Sequence, residues 1–246
     1  MSRKAVVPTE FEDLLTPAGR KVLGGRSDLC GFLANPRQRF LAADGFVVKS
    51  RAEGIRRVLE ADLRDLLTPM SDPIPPETIW EMKHDYEEWL PKTVRVSTAY
   101  LEKKKEKAYL RAAELGLVDL LKSESLAAFA EKIAGQRLDR KSGQQILCYG
   151  PGDYAGPHND HHPENSRAAK GYVDVHLSLA SKEVDHQYLV YAKAGHFTEM
   201  VQVSGLGFLT IYRLPFWHYT TPLQAKPGKV ASARRWVLLA TYLYGK

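Results

Sequence analysis

A chain of 246 residues, 44% hydrophobic and 26% charged, has the composition of an ordinary soluble protein and enough mass for one large domain or two small ones. No run of about 18 apolar residues occurs, which excludes a membrane-spanning helix, and the stretch Met1–Pro8 carries charge without an apolar segment, which argues against a secretory signal. Thirty-five basic and 29 acidic side chains leave a net charge of +6 with the two signs interspersed, so an anionic substrate is permitted and nucleic acid is disfavoured as a partner.

The first part of the chain reads as mainly helical. Phe11 to Leu15 predicts a short helix stopped by Pro17, and Gly45 to Lys49 is a short β-prone run. Ser50 then caps a helix in which Ile55, Val58, Leu59, Leu63, Leu66 and Leu67 recur at helical spacing. Pro69, Pro73, Pro75 and Pro76 break that pattern. A long helical stretch is predicted from Val96 to Leu121, with Lys103, Lys104, Lys105 and Lys107 as a solvated face, and Ser123 or Ser125 caps a further helix ending near Gly135.

The period changes near residue 142. Gln145–Tyr149 is strand-like and ends in the turn signal Gly150-Pro151-Gly152. Tyr172–Leu179 alternates apolar and polar residues, and Tyr188–Tyr191, Thr198–Val203, Phe208–Tyr212 and Trp236–Leu243 complete about six or seven short strands, the pattern of a sandwich or jelly roll. The two cysteines, Cys30 and Cys148, have no metal-like spacing and read as free buried thiols of a reducing cytoplasm, so a cytoplasmic location is expected.

The chemistry concentrates after the turn. In Pro157-His158-Asn159-Asp160, an extended backbone places His158 and Asp160 on one face and Asn159 on the other. One more histidine would complete a two-histidine, one-carboxylate set, which leaves coordination positions open on one side of iron(II) for a bidentate 2-oxo acid and O2. His161 and His162 are too near in sequence to fold back onto the same ion and read as loop polars. His176 lies in the alternating strand, where with Asp174 it reads as a satisfied polar pair or barrel lining. His186 and His196 lie near turns, and His218 follows a strand and a turn containing Pro215. A 2-oxo diacid needs its far carboxylate held, for which a planar guanidinium is well matched. Arg234 and Arg235 open the last strand, and only one of them can face a barrel interior. Tyr149 is placed to add a phenol. Trp217 reads as core or as pocket lining.

Tyr149-x-x-Gly152-Asp153-Tyr154 leading to His158-Asn159-Asp160 resembles the opening motif of the iron(II)/2-oxoglutarate oxygenases, most closely the prolyl-4-hydroxylase-like branch. Gly207–Tyr212 followed by His218-Tyr219-Thr220-Thr221-Pro222-Leu223 resembles the family's distal histidine element. Arg235-Trp236-Val237-Leu238 resembles its arginine strand, and Asp44–Val48 its opening strand. The resemblance implies iron(II) held by His158, Asp160 and His218, with 2-oxoglutarate on Arg235 (or its neighbour Arg234) and Tyr149. The sequence departs from the hydroxylases at Val184-Asp185-His186-Gln187-Tyr188, where their Gly-Gly-Glu-Thr element is missing, and this speaks against peptidyl-proline as substrate. Asp160 argues against the halogenases, which carry a small residue there, and adjacent Arg234 and Arg235 do not match the arginine pattern of the DNA dealkylases.

The resulting expectation is one domain over 1–246 of α+β class. A mainly helical support region, 1–141, packs on one sheet of a double-stranded β-helix, a cupin-like jelly roll of eight strands at 142–246. The expected activity is 2-oxoglutarate-dependent hydroxylation of an unactivated C–H bond with iron(II) and O2, releasing succinate and CO2. The expected substrate is a small molecule or an amino-acid-like one, with a protein side chain also open and no membrane partner. A cupin-like metalloenzyme that does not use 2-oxoglutarate and a non-catalytic metal-binding module are the alternatives. The polar loop Pro163–Gly171 is the expected lid.

Overall fold

The computed structural model describes residues 7–74, 93–140, 143–160, 168, 171–193 and 195–245. Thr16 caps α1 (Pro17–Leu23), its hydroxyl accepting from the Gly19 amide. Pro17 therefore starts a helix instead of stopping one, as its fixed φ and missing N–H allow at the first helical position. The segment before it, Phe11–Leu14, is a single 3-10 turn. The first strand is β1 (Phe40–Ala43) and not the run beginning at Gly45. Gly45 turns the chain at φ 80°, and Val47 contributes only an isolated bridge to Leu15. Helix α2 (Lys49–Asp62) starts one residue before Ser50, with Val48 at its N-cap and no side-chain cap.

The predicted helix from Val96 is half wrong. Thr93–Tyr100 is a strand, β3, paired with β2 (Thr68–Pro73). Thr93, Val94, Val96 and Thr98 are β-branched and stiff at χ1, which favours the pleated backbone once partner strands are present on both sides. Helix begins only at α3 (Lys107–Leu115), and Gly116 in the left-handed conformation separates it from α4 (Leu117–Lys122). Pro69 and Pro73 fall in β2, which among the described residues pairs only with β3, the edge position that tolerates a missing N–H. Pro75 and Pro76 lie outside the described residues. Ser123 caps α5 (Glu124–Ala134), which ends at Gly135 with φ 71°. Both ends match the reading from sequence.

The remaining strands are β4 (Leu138–Asp139), β5 (Gln144–Tyr149), β6 (Tyr154–His158), β7 (Tyr172–Ala180), β8 (Val184–His186), β9 (Tyr188–Lys193), β10 (His196–Gln202), β11 (Leu206–Leu214), β12 (His218–Thr220), β13 (Gln224–Ala225) and β14 (Arg235–Tyr244). Twelve strands form one sheet with the path β1-β11-β7-β14-β5-β3-β6-β12-β9-β10, to which β2 and β4 add at β3 and β14, and β8 pairs with β13. The sheet folds over on itself. Phe40 of β1 meets Tyr191 of β9 at 4.4 Å between ring centroids, although the two strands stand eight places apart in the path. The result is the double-stranded β-helix expected, enlarged beyond eight strands because β1 and β3 come from the N-terminal half. β1 adds to the edge at β11, and β3 lies between β5 and β6.

Period-two alternation decides which side chains enter the space between the two layers. Val173, Val175, Leu177 and Leu179 of β7 and Trp236, Leu238, Ala240 and Tyr242 of β14 face outward into one core with Phe11, Ile55, Leu59, Phe129 and Ile133. Trp236 also donates its indole N–H to Glu60 of α2 at 3.0 Å, which ties that helix to the sheet. The other parity lines an internal cavity of about 540 Å3: Tyr172, Asp174 and His176 of β7, and Arg235, Val237, Leu239, Thr241 and Leu243 of β14. Gly207, at φ 70° in a bulge between Leu206 and Phe208, lets α2 close on the sheet, since a Cβ there would stand 3.3 Å from that of Ala52. Among the described residues no helix is long and apolar enough to cross a membrane. Both cysteines are free; Cys148 is buried, but Cys30 is only partly so.

Candidate active site

Two short strands bring the histidines together. His158 ends β6, His218 opens β12, and the two are direct register partners with ring centroids 4.4 Å apart. Asp160 lies beyond the end of β6 with φ 55°. The convergence of His158 and Asp160 is therefore produced by a left-handed residue past a strand end, and not by alternation along an extended segment. Asp is among the few non-glycine residues that adopt this conformation readily, and such strain gathers at functional sites. The hydroxyl of Tyr172 donates to the Asp160 carbonyl at 2.8 Å and holds the turn.

One carboxylate oxygen of Asp160 lies 3.4 Å from His158 Nε2 and the other 3.5 Å from His218 Nε2. The ligand atoms of the three residues all lie within 4.8 Å of one another. Each imidazole has its Nδ1 against a carbonyl two residues upstream, Gly156 at 2.6 Å and Phe216 at 2.9 Å. A carbonyl only accepts, so Nδ1 carries the proton and the Nε2 lone pair is turned toward Asp160. Burial, with His158 beside it, pushes the His218 imidazole down to about 4, so it is neutral near pH 7 and available as a ligand. Two imidazole nitrogens and a carboxylate on one side of a point are a donor set that fits iron(II) and leaves the opposite side open.

Arg235 lines the same cavity and is 3% exposed. Its Nε donates to Ser178 Oγ at 2.9 Å and one terminal nitrogen to Gln187 Oε1 at 2.9 Å, and the guanidinium lies 5.4 Å from the centre of the Tyr149 ring. These partners are neutral. Among the described residues no carboxylate comes within ion-pair distance of Arg235. Burial lowers its pKa, yet a guanidinium stays charged in proteins. A buried cation left without a counter-ion, facing a cavity, is a built receptor for a carboxylate. Tyr149 is also buried and lines the cavity, and burial pushes its phenol up, which keeps it a hydrogen-bond donor.

Arg234 is directed away from this constellation, as alternation requires of its neighbour. It donates to the carbonyls of Ala233 and Val230 and lines a separate cavity of about 270 Å3 beside Arg64 and Asp153. His186 pairs with Asp185 at 2.8 Å on the surface, and His196 is exposed. Trp217 is half-buried and does not line the cavity. His161, His162 and all of the Pro163–Gly171 loop except Ala168 and Gly171 lie outside the described residues.

Two residues of the site have no signature in the sequence. Ser178 is one polar step in an alternating strand. Gln187, fully buried between β8 and β9, donates its amide to the carbonyls of Asp153 at 3.1 Å and Thr221 at 3.0 Å. Those two bonds orient its oxygen toward Arg235. All of its partners are distant in the chain, so spacing carries no trace of the role.

No family model matches this sequence, and no curated protein is similar to it in sequence. Solved structures do resemble it. An oxidoreductase of the 2OG-Fe(II) oxygenase family from Burkholderia pseudomallei aligns with 88% of this chain and 91% of its own at 13% identity and a TM-score of 0.56. A prolyl hydroxylase from Trichoplax adhaerens, in complex with a hypoxia-inducible-factor oxygen-degradation-domain peptide fragment, covers 92% and 89% at 13% identity and a TM-score of 0.51. A non-heme α-ketoglutarate-dependent epimerase of nogalamycin biosynthesis covers 87% and 82% at 14% identity and a TM-score of 0.51. At these identities the likeness is one of fold, and the fold is the double-stranded β-helix on which these oxygenases are built.

Proposed function

We propose that the protein is an iron(II)- and 2-oxoglutarate-dependent oxygenase. The observation that carries this reading is that Arg235, buried and without a counter-ion among the described residues, shares one cavity with the convergent set His158, Asp160 and His218. In this reading the three residues hold iron(II). Arg235 takes the far carboxylate of 2-oxoglutarate, assisted by Tyr149, and Arg234 takes no part. Bound together, iron(II), 2-oxoglutarate and O2 supply the oxidising chemistry, with succinate and CO2 released and hydroxylation of an unactivated C–H bond as the outcome. The residues of the chain contribute position. Gln187 and Ser178 fix the guanidinium, and the carbonyls of Gly156 and Phe216 fix the two imidazoles.

The test is anaerobic addition of iron(II) and 2-oxoglutarate to the purified protein, read as the weak visible charge-transfer band of the chelate. The band is expected in the wild type and absent in His218→Ala. In Arg235→Ala it requires about 10- to 100-fold more 2-oxoglutarate, the loss of one charge-assisted pair. No band in folded, iron-loaded protein overturns the 2-oxoglutarate assignment in favour of a metalloenzyme that needs no 2-oxo acid.

A further inference from the structure

The cavity carries a second polar feature. On β7, Asp174 and His176 are two residues apart and so project from the same face into the cavity. Asp174 is 8% exposed, and among the described residues neither its Oδ1 nor the buried Nε2 of His176 has a hydrogen-bond partner. The two side chains do not satisfy each other, because His176 Nε2 stands 3.9 Å from Asp174 Oδ2. Among the described residues no Lys or Arg reaches Asp174. A buried carboxylate oxygen without a donor is costly, and native structures rarely carry one without a reason.

Position indicates that the reason is a ligand. Across the sheet Asp174 is the register partner of Thr241, whereas Arg235 is the partner of Ala180. The guanidinium itself reaches Ser178 on β7, four residues from Asp174, which corresponds to roughly 13 Å along the strand. The proposed anion site and Asp174 thus occupy different parts of one cavity, with His176 between Asp174 and Ser178 on the same face of β7. Between them, the Tyr212 ring lies 4.4 Å from that of His176 and 5.5 Å from that of His218. One aromatic ring therefore separates the pair from the metal-binding set. Around the pair the wall is mixed: Leu239, Thr241 and Leu243 of β14, the register partners of His176, Asp174 and Tyr172, line the cavity with the Tyr212 ring.

From this geometry we infer that Asp174 and His176 form the substrate-recognition end of the cavity and take a protonated amine attached to an apolar body. An ammonium brings donors for Asp174 Oδ1, and for His176 Nε2 in the tautomer that carries its proton on Nδ1, together with the missing counter-charge. Tyr212 offers an aromatic face beside His176. An alcohol would satisfy one acceptor and leave the charge bare, and a carboxylate would be repelled. The identity of the substrate class rests on the oxygenase reading, but the amine site itself does not.

The experiment is calorimetric titration of metal-free protein at neutral pH with n-hexylamine, n-hexanol and hexanoate. Hexylamine is expected to bind at least about tenfold tighter than the other two. Asp174→Asn abolishes the preference, and Asp160→Ala, at the metal-binding set, keeps it. Asp174→Asn is also expected to raise the melting temperature by a few degrees, since it removes a buried unpaired charge; a merely structural aspartate would lower it. Equal affinity for the three probes, no binding of hexylamine at millimolar concentration, a preference that survives Asp174→Asn, or one lost in Asp160→Ala each overturns the inference. Because neither iron nor 2-oxoglutarate is present, failure here is separate from failure of the charge-transfer test.

Discussion

At the scale of single residues, the site depends on groups whose hydrogen bonds are complete and on two that wait for a ligand. Gln187 belongs to the first kind. Gln187→Leu deprives Arg235 and the carbonyls of Asp153 and Thr221 of their partner. About a tenfold weaker 2-oxoglutarate affinity is expected, together with a lower melting temperature. Gln187→Glu separates the two effects. It gives Arg235 an internal counter-ion but sets a carboxylate oxygen against the carbonyls of Asp153 and Thr221, so the melting temperature falls as in the leucine variant while 2-oxoglutarate affinity falls further. Titration of the charge-transfer band and thermal unfolding of the same samples check both outcomes, and an affinity loss no greater in the glutamate than in the leucine variant would sink the positioning role. His158 and Asp160 were legible in the sequence because they stand side by side in a compact motif. The left-handed turn that joins them was not, since nothing in Asn159-Asp160 distinguishes it from an extended pair.

Elements whose signals are local were readable. Ser123 and Gly135 bound α5 as capping chemistry requires, and β7 and β14 alternate as half-buried strands do. Ser123 also reaches across the molecule, accepting from the amides of both Leu126 and Phe11 at 3.3 Å. Ser123→Ala is therefore expected to cost about 1–2 kcal/mol, the upper part of the range for a cap. That corresponds to a fall of roughly 2–8 °C in melting temperature, measurable by circular dichroism. β3 was misread because its neighbours in sequence are helical while its partners, β2, β5 and β6, are supplied by the fold. Strand propensity expresses packing against neighbours more than a backbone preference, so a strand inserted between distant strands has a weak local signal.

For the whole molecule, ligands that bind only the folded state add to its stability by mass action. Iron(II) with 2-oxoglutarate at about 100 times its dissociation constant is expected to stabilise the wild type by about 2.7 kcal/mol beyond the metal alone. At equal ligand concentration Arg235→Ala retains the metal increment and loses most of the 2-oxoglutarate increment, and differential scanning calorimetry distinguishes the two. By itself the sequence determined the parity of the inner strands, the capped helix α5, the candidate metal-binding residues and a phenol and an arginine pair of suitable chemistry, because each is written in neighbouring positions or in a period of two. Only the tertiary structure decided that Arg235 enters the cavity and Arg234 leaves it, that Gln187 orients the guanidinium, that β1 and β3 complete the sheet, and that Asp174 and His176 face the cavity unsatisfied. Those outcomes depend on contacts between residues far apart in the chain, and on which polar groups remain without partners once every strand has found its neighbours.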